Sequence, residues 1–215
     1  MDKTHIEFFF DPACPFSWIT SRWLLQVQAE RDIDITWRQF SLALKNNELQ
    51  EKDSDGKHAI AHRGSHRAHR VVHRATSQHG ASMIELYSEF GIRFHIMEKP
   101  FDDDMIRDVL QAKNLPLDLL SAADDNSIDT ELQTEIDSAV EAAGGDIGVP
   151  TIVFSGSDRQ RVGYFGPVLN ELPGRLEESL AMWDGLAVLA TTSSFYELKR
   201  SRPGGNPNVF SAARC

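Results

Sequence analysis

The chain has 215 residues, with 22 Lys and Arg against 32 Asp and Glu, a net charge of -10 and only two cysteines. That length holds one domain carrying an insertion, or two small intertwined domains, with enough residues to bury a core. The acidic balance argues against nucleic acid and anionic membrane as partners, the cysteine count argues against a disulfide framework, and no apolar run approaches membrane-spanning length. The first residues, Met1 to His5, lack a basic start followed by a long apolar stretch, so the expected location is the cytoplasm.

Ile6 to Phe10 is apolar and aromatic enough for a central strand, and Pro15 suits the first turn of a helix on which Ile19, Trp23 and Val27 recur at helical spacing. Ile33, Ile35 and Trp37, with Phe40, return to a period of two, so the chain opens strand, helix, strand, with a right-handed parallel crossover expected. From about Leu42 to Val140 strand signals vanish. Ile84, Tyr87 and Gly91 mark one short helix, Asp102 to Lys113 another, and Asp129 to Ala143 a third. Much of the acid lies between Asp102 and Glu141, whereas Lys57 to Arg74 is locally basic. Val149 to Phe154 resumes as a strand, Ser155 to Arg161 reads as a hairpin loop, and Val162 to Phe165 as its return strand. Pro167 to about Lys199 reads as a closing helical region. The expected domains are a core of residues 1–41 and 144–200, an all-helical insertion of residues 42–143, and a flexible tail, 201–215.

Cys14 carries the chemistry. It sits where a buried strand turns into a helix, between Pro12 and Pro15, and exposed N–H groups at a helix start favour a thiolate. A lone cysteine is more often a small buried hydrophobe, but this placement suits an accessible nucleophile of lowered pKa. Ser17 lies one turn beyond, close enough to donate a hydrogen bond to the sulfur. A serine cannot resolve a mixed disulfide, so a Cys14 that attacks one must be released by an external thiol. Cys215, at the chain's end, has nothing to hold it at Cys14.

The element order, the cysteine opening the first helix and Pro150 opening the third strand together resemble the α/β thioredoxin-like fold of the DsbA type, with a large helical insertion between the second and third strands. More closely, the segments Phe10 to Pro15, Trp18 to Trp23, Ser41-Leu42-Ala43 with Asn46, Gly91-x-Arg93-x-His95, Gly148-x-Pro150-Thr151, Phe165 to Leu169 and Glu197 to Arg200 resemble mycothiol-dependent nitroreductases of actinobacteria. That family has a Cys-Pro-Trp-Cys site reduced by mycothiol. Here Phe16 and Ser17 replace the last two residues. The resemblance implies a cis Val149-Pro150 platform facing Cys14, with Pro15, Phe16, Asn46, Arg70 and His95 around the substrate or thiol. It implies a low-molecular-weight thiol, mycothiol-like or glutathione-like, as co-substrate, a small electrophile or disulfide as substrate, and no tightly bound cofactor; a homodimer is left open. Kappa-type glutathione transferases and hydroxychromene carboxylate isomerases, related proteins with serine at the Cys14 position, make a transferase or isomerase the alternative function. A redox-inactive binding or metal-binding protein is the second alternative.

His58, His62, His66, His69 and His73 are spaced four, four, three and four, within a sector of about 80° on a helix. The expected structure is an amphipathic helix with this face in solvent. Adventitious Zn²⁺ or Ni²⁺ binding and a polar face toward a co-substrate are the other readings; no metal site is assigned.

Overall fold

The computed structural model describes residues 3–49, 56–155, 161–201 and 204–213. The chain opens with β1 (Thr4–Phe10), α1 (Pro15–Gln28) and β2 (Ile33–Gln39). Helices follow: α2 (Leu42–Lys45), α3 (Lys57–His79), α4 (Met83–Gly91), α5 (Asp103–Ala112) and α6 (Asp129–Ala143), with 3₁₀ turns at Leu117–Asp124 and Asn126–Ile128. Then come β3 (Thr151–Ser155), β4 (Arg161–Phe165) and α7 (Leu176–Ala190). This is a thioredoxin-like α/β fold with a helical insertion between β2 and β3.

The four strands lie in the order β2-β1-β3-β4, with β1 parallel to β2 and the other pairs antiparallel. Strand alternation sorts the apolar residues between the two faces. Ile6, Phe8 and Phe10 of β1 and Ile152 and Phe154 of β3 face α1 and α7, where the Trp23 indole donates to the Ser179 carbonyl at 3.1 Å. Phe9 and Val153 face the opposite way, onto Ile136 and Ala139 of α6. The insertion has its own apolar cluster, including Ala68, Val71 and Val72 of α3, Leu86 and Phe90 of α4 and Ile106 and Val109 of α5. Among the described residues no helix is long and apolar enough to cross a membrane.

Three stretches depart from the sequence expectation. The closing region is helical only over Leu176–Ala190, because Pro167, Pro173 and Gly174 disfavour an earlier start and Thr191-Thr192 favour a turn. Part of the expected loose tail is docked: Val209–Ala212 forms a 3₁₀ turn, Ala212 is fully buried, and Ser211 Oγ accepts from the Leu172 N–H at 3.0 Å. Cys215 lies outside the described residues, as does most of the hairpin loop. The third departure is the histidine face of α3, which belongs to the site.

Candidate active site

The turn from β1 into α1 is built by Asp11. Its backbone carbonyl accepts from the Cys14 N–H at 3.0 Å, and its carboxylate accepts from the Ala13 N–H at 2.8 Å, a local side-chain turn that delivers the chain directly into the helix. Cys14 is the extended N-capping residue, and its carbonyl accepts from Trp18 at 3.1 Å. Pro15 occupies the first helical position, where an N–H would have no partner within the helix. The Phe16 and Ser17 N–H groups are therefore the ones that reach the sulfur, and both favour its anion.

The Cys14 thiol donates to the Val149 carbonyl at 3.4 Å, and the Val149-Pro150 peptide is cis. Phe16 and Leu42 pack, half-buried, against the cluster holding Cys14 and Val149, so the sulfur's surroundings are apolar. This corrects the expectation of an accessible thiolate. Cys14 is 6% exposed, and burial pushes its thiol above the ordinary value. Hydrogen bonds from the Ser17 hydroxyl and from the Ser17 and Phe16 N–H groups pull it down, while the Asp11 charge pushes it up. Desolvation outweighs the helix start, and the resting group is a thiol. Ser17 is fully buried beside the sulfur, and its hydroxyl is the donor for the thiolate when it forms.

His95 reaches the site through backbone geometry. After Gly91 the helix widens to π-helical turns over Ile92–Ile96, closed by the Met97 N–H on the Ile92 carbonyl at 3.0 Å. His95 Nε2–H donates to the Pro12 carbonyl at 2.9 Å, and its ring stacks on Trp18 with centroids 5.8 Å apart. Burial lowers its pKa to about 4, so it is a neutral donor steadying the turn before Cys14. Asn46 lies exposed at the end of α2, its amide donating to Glu48 at 3.2 Å. Arg70, expected around the thiol, is engaged elsewhere. Its Nε and Nη2 fork onto Asp129 at 2.7 Å each, and Nη1 donates to the Ala123 carbonyl at 3.0 Å.

The histidine face is not uniformly solvated. His58 is exposed and His62 and His73 are half-buried, but His66 and His69 are buried at 1% and 0% exposure. A sector that wide has an edge turned toward the core. His69 shares the helical register of Ser65, Ala68 and Val72, the buried edge of α3. His69 Nδ1 accepts from Gln39 Nε2 at 2.9 Å, and the same amide nitrogen donates to the His69 carbonyl at 2.8 Å. The His69 proton is thereby placed on Nε2, 3.7 Å from Asp11 Oδ2. His66 Nδ1 meets Ser41 Oγ at 2.9 Å, and burial lowers its pKa to about 4. Among the described residues no group of three or more His, Cys, Asp or Glu is placed to hold a metal ion.

Asp11, which the sequence reading did not single out as a site residue, is the centre of this network. It is fully buried and also accepts from Ser65 Oγ at 2.7 Å and the Leu42 N–H at 2.8 Å. An aspartate at the end of a buried aromatic strand, three residues before the cysteine, is the feature from which it was legible.

Comparison with known proteins places these observations in a family. Residues 13–200 match the family described as Rv2466c-like, mycothiol-dependent nitroreductase Rv2466c. The uncharacterized protein Rv2286c of Mycobacterium tuberculosis (strain ATCC 25618 / H37Rv) is 30% identical over 201 residues, covering 93% of this chain and 83% of that protein. Among solved structures, the fold is similar to a probable DsbA oxidoreductase, SCO1869, from Streptomyces coelicolor, with a TM-score of 0.56 at 17% identity over 92% of this chain and 94% of that one. It is also similar to the cytosolic disulfide reductase DsbM from Pseudomonas aeruginosa, with a TM-score of 0.53 at 12% identity over 86% of this chain and 100% of that one.

Proposed function

This chain belongs to the Rv2466c-like family of mycothiol-dependent nitroreductases, and from that premise we propose that this oxidoreductase works by a monothiol route on Cys14. The observation that carries the reading is the Cys14 thiol held 3.4 Å from the Val149 carbonyl, at the cis bond to Pro150. Deprotonated Cys14 attacks one sulfur of a disulfide; a Cys14–S–S–R bond forms and the other half leaves as a thiolate that takes up a proton. A second low-molecular-weight thiolate then attacks the sulfur of R, releasing Cys14 and a new disulfide. Ser17 donates to the Cys14 anion in place of a resolving thiol. The backbone at Val149-Pro150, flanked by Pro15 and Phe16, is the platform for the partner, and Asn46 at the open end of α2 is the candidate contact for the co-substrate. His95 acts through the Pro12 carbonyl, and Arg70 is assigned to structure. The compartment implied is the cytoplasm, where low-molecular-weight thiols are kept reduced.

The test is intact mass after incubation with an oxidised low-molecular-weight thiol, with Cys14→Ser as control. The expected result is a single adduct on Cys14, released by free thiol. No adduct between about pH 6 and about pH 10, a range bracketing the thiol's ionisation, removes the proposal. A buried resting thiol with serine at the resolving position also fits a thiol-dependent transferase or isomerase. That enzyme joins thiol to electrophile or isomerises it, and accumulates no adduct.

A further inference from the structure

Asp11 is a buried carboxylate three residues before the nucleophile, and it is tied from three directions. Oδ1 accepts from the Ala13 N–H of its own turn at 2.8 Å and from Ser65 Oγ of α3 at 2.7 Å, while Oδ2 accepts from the Leu42 N–H opening α2 at 2.8 Å. The protonated Nε2 of His69 stands 3.7 Å from Oδ2, its tautomer set by the Gln39 amide. Resting on the assignment of Cys14 as nucleophile, we propose that Asp11 is a positioning residue: it locks the turn carrying the sulfur to α2 and α3, and its charge holds Cys14 in the thiol form against the Val149 carbonyl.

The physical basis is the balance of charge in a closed space. Burial alone would neutralise this carboxylate, but His69 and the Leu42 and Ala13 N–H groups hold its pKa below the usual range, so it stays anionic. A second anion nearby, the Cys14 thiolate, then forms against its field. Of the other ionisable groups packed around the site, Arg22 of α1 is the buried cation, and its guanidinium lies over the Trp18 ring at 4.4 Å and donates to Ser88 Oγ at 2.9 Å. Tyr87 of α4 is kept a neutral phenol by burial, and His66 of α3 and His95 of the π-helical turn are neutral at physiological pH. His69 of α3 is turned to Asp11 Oδ2, at 3.7 Å. The sulfur is thus restrained at rest, with Ser17 ready to stabilise the anion once it forms.

The test is the pH dependence of iodoacetamide alkylation of Cys14, followed by intact mass in the full chain carrying Cys215→Ser, so that one thiol reports. The wild-type midpoint is expected above the free thiol's value of about 8.5. Asp11→Asn, which removes the charge and keeps the shape, is expected to lower the midpoint by about one unit, close to tenfold more thiolate at neutral pH. Looser packing would also lower the midpoint by relieving desolvation, so Ser65→Ala, which removes a tie to Asp11 and keeps its charge, is the packing control: its midpoint is expected near wild type, and a fall as large as that of Asp11→Asn overturns the proposal. Asp11→Ser, whose hydroxyl still accepts from Ala13, gives a second reading should the amide fail to fold. A wild-type midpoint at or below the free value overturns the proposal, as does an unchanged or higher midpoint in a folded variant. A Cys14 that alkylates with these midpoints yet never forms a mixed disulfide leaves Asp11 in place and removes only the exchange function.

Discussion

Cys14 Sγ and the carbonyl oxygen of Val149 lie 3.4 Å apart, joined by a thiol hydrogen bond across 135 residues of sequence. The bond is made by the protonated sulfur and broken by the anion, which has no hydrogen to donate. The thiol pKa is raised by burial, so reactivity toward a disulfide is expected to climb with pH through and above the ordinary thiol range, without a plateau near neutrality. Stopped-flow rates of adduct formation across that range measure this. A plateau reached by pH 7 is the contrary result.

Ser17→Cys restores a Cys-x-x-Cys spacing on the first turn of α1. Residues three apart on a helix are close enough for a disulfide, so the new thiol resolves the mixed disulfide internally. The expected product is an oxidised protein about 2 Da lighter than its reduced form, from the two hydrogens lost on oxidation, with no lasting thiol adduct. Persistence of the adduct in this variant counts against the site geometry.

His66 and His95 each bury a neutral ring with a pKa near 4, against about 6.5 in the unfolded chain. Both folded values are depressed, so the stability they contribute is present above pH 6.5 and lost as pH falls toward 4. The loss is about 2 kcal/mol per histidine by pH 5. Urea unfolding at pH 7 and at pH 5 measures it, and His95→Gln is expected to flatten the slope by about half.

Arg70→Ala removes the fork on Asp129, a pair at 11% and 24% side-chain exposure. Between the values for surface and buried pairs, the expected cost is about 2 kcal/mol of stability. The His66 pKa rises with the Arg70 charge gone. The rate of Cys14 adduct formation stays near wild type. A large rise in the thiol's KM with unchanged stability instead returns Arg70 to the binding site.

Gly91→Ala tests the docking of α4 on α1. A Cβ at Gly91 falls 2.3 Å from the Cε3 and Cζ3 atoms of Trp18, whose ring also carries His95. Overpacking of this kind costs about 1–3 kcal/mol, and the rigid indole puts it toward the upper end. A lowered Tm with altered tryptophan fluorescence is expected; an unchanged Tm is the contrary result.

The sequence by itself determined the order of elements and the place of Cys14, because strand alternation, Pro15 at a helix start and helical spacing are local properties. It also determined that Ser17 stands where a second thiol would be needed. Only the tertiary structure decided the state of that cysteine. The sulfur's ionisation depends on what packs over it, and Phe16, Leu42 and Val149 come together from three separate segments. The same holds for the helix bearing His58 to His73. Its period was legible, but which edge faced inward depended on Gln39, Ser41 and Asp11, residues of the sheet side that periodicity in α3 cannot see. The pairing of Arg70 was hidden for the same reason: its partner, Asp129, lies 59 residues away. Long-range desolvation and pairing, which no local pattern encodes, set the chemistry of a site whose position the local pattern had already marked.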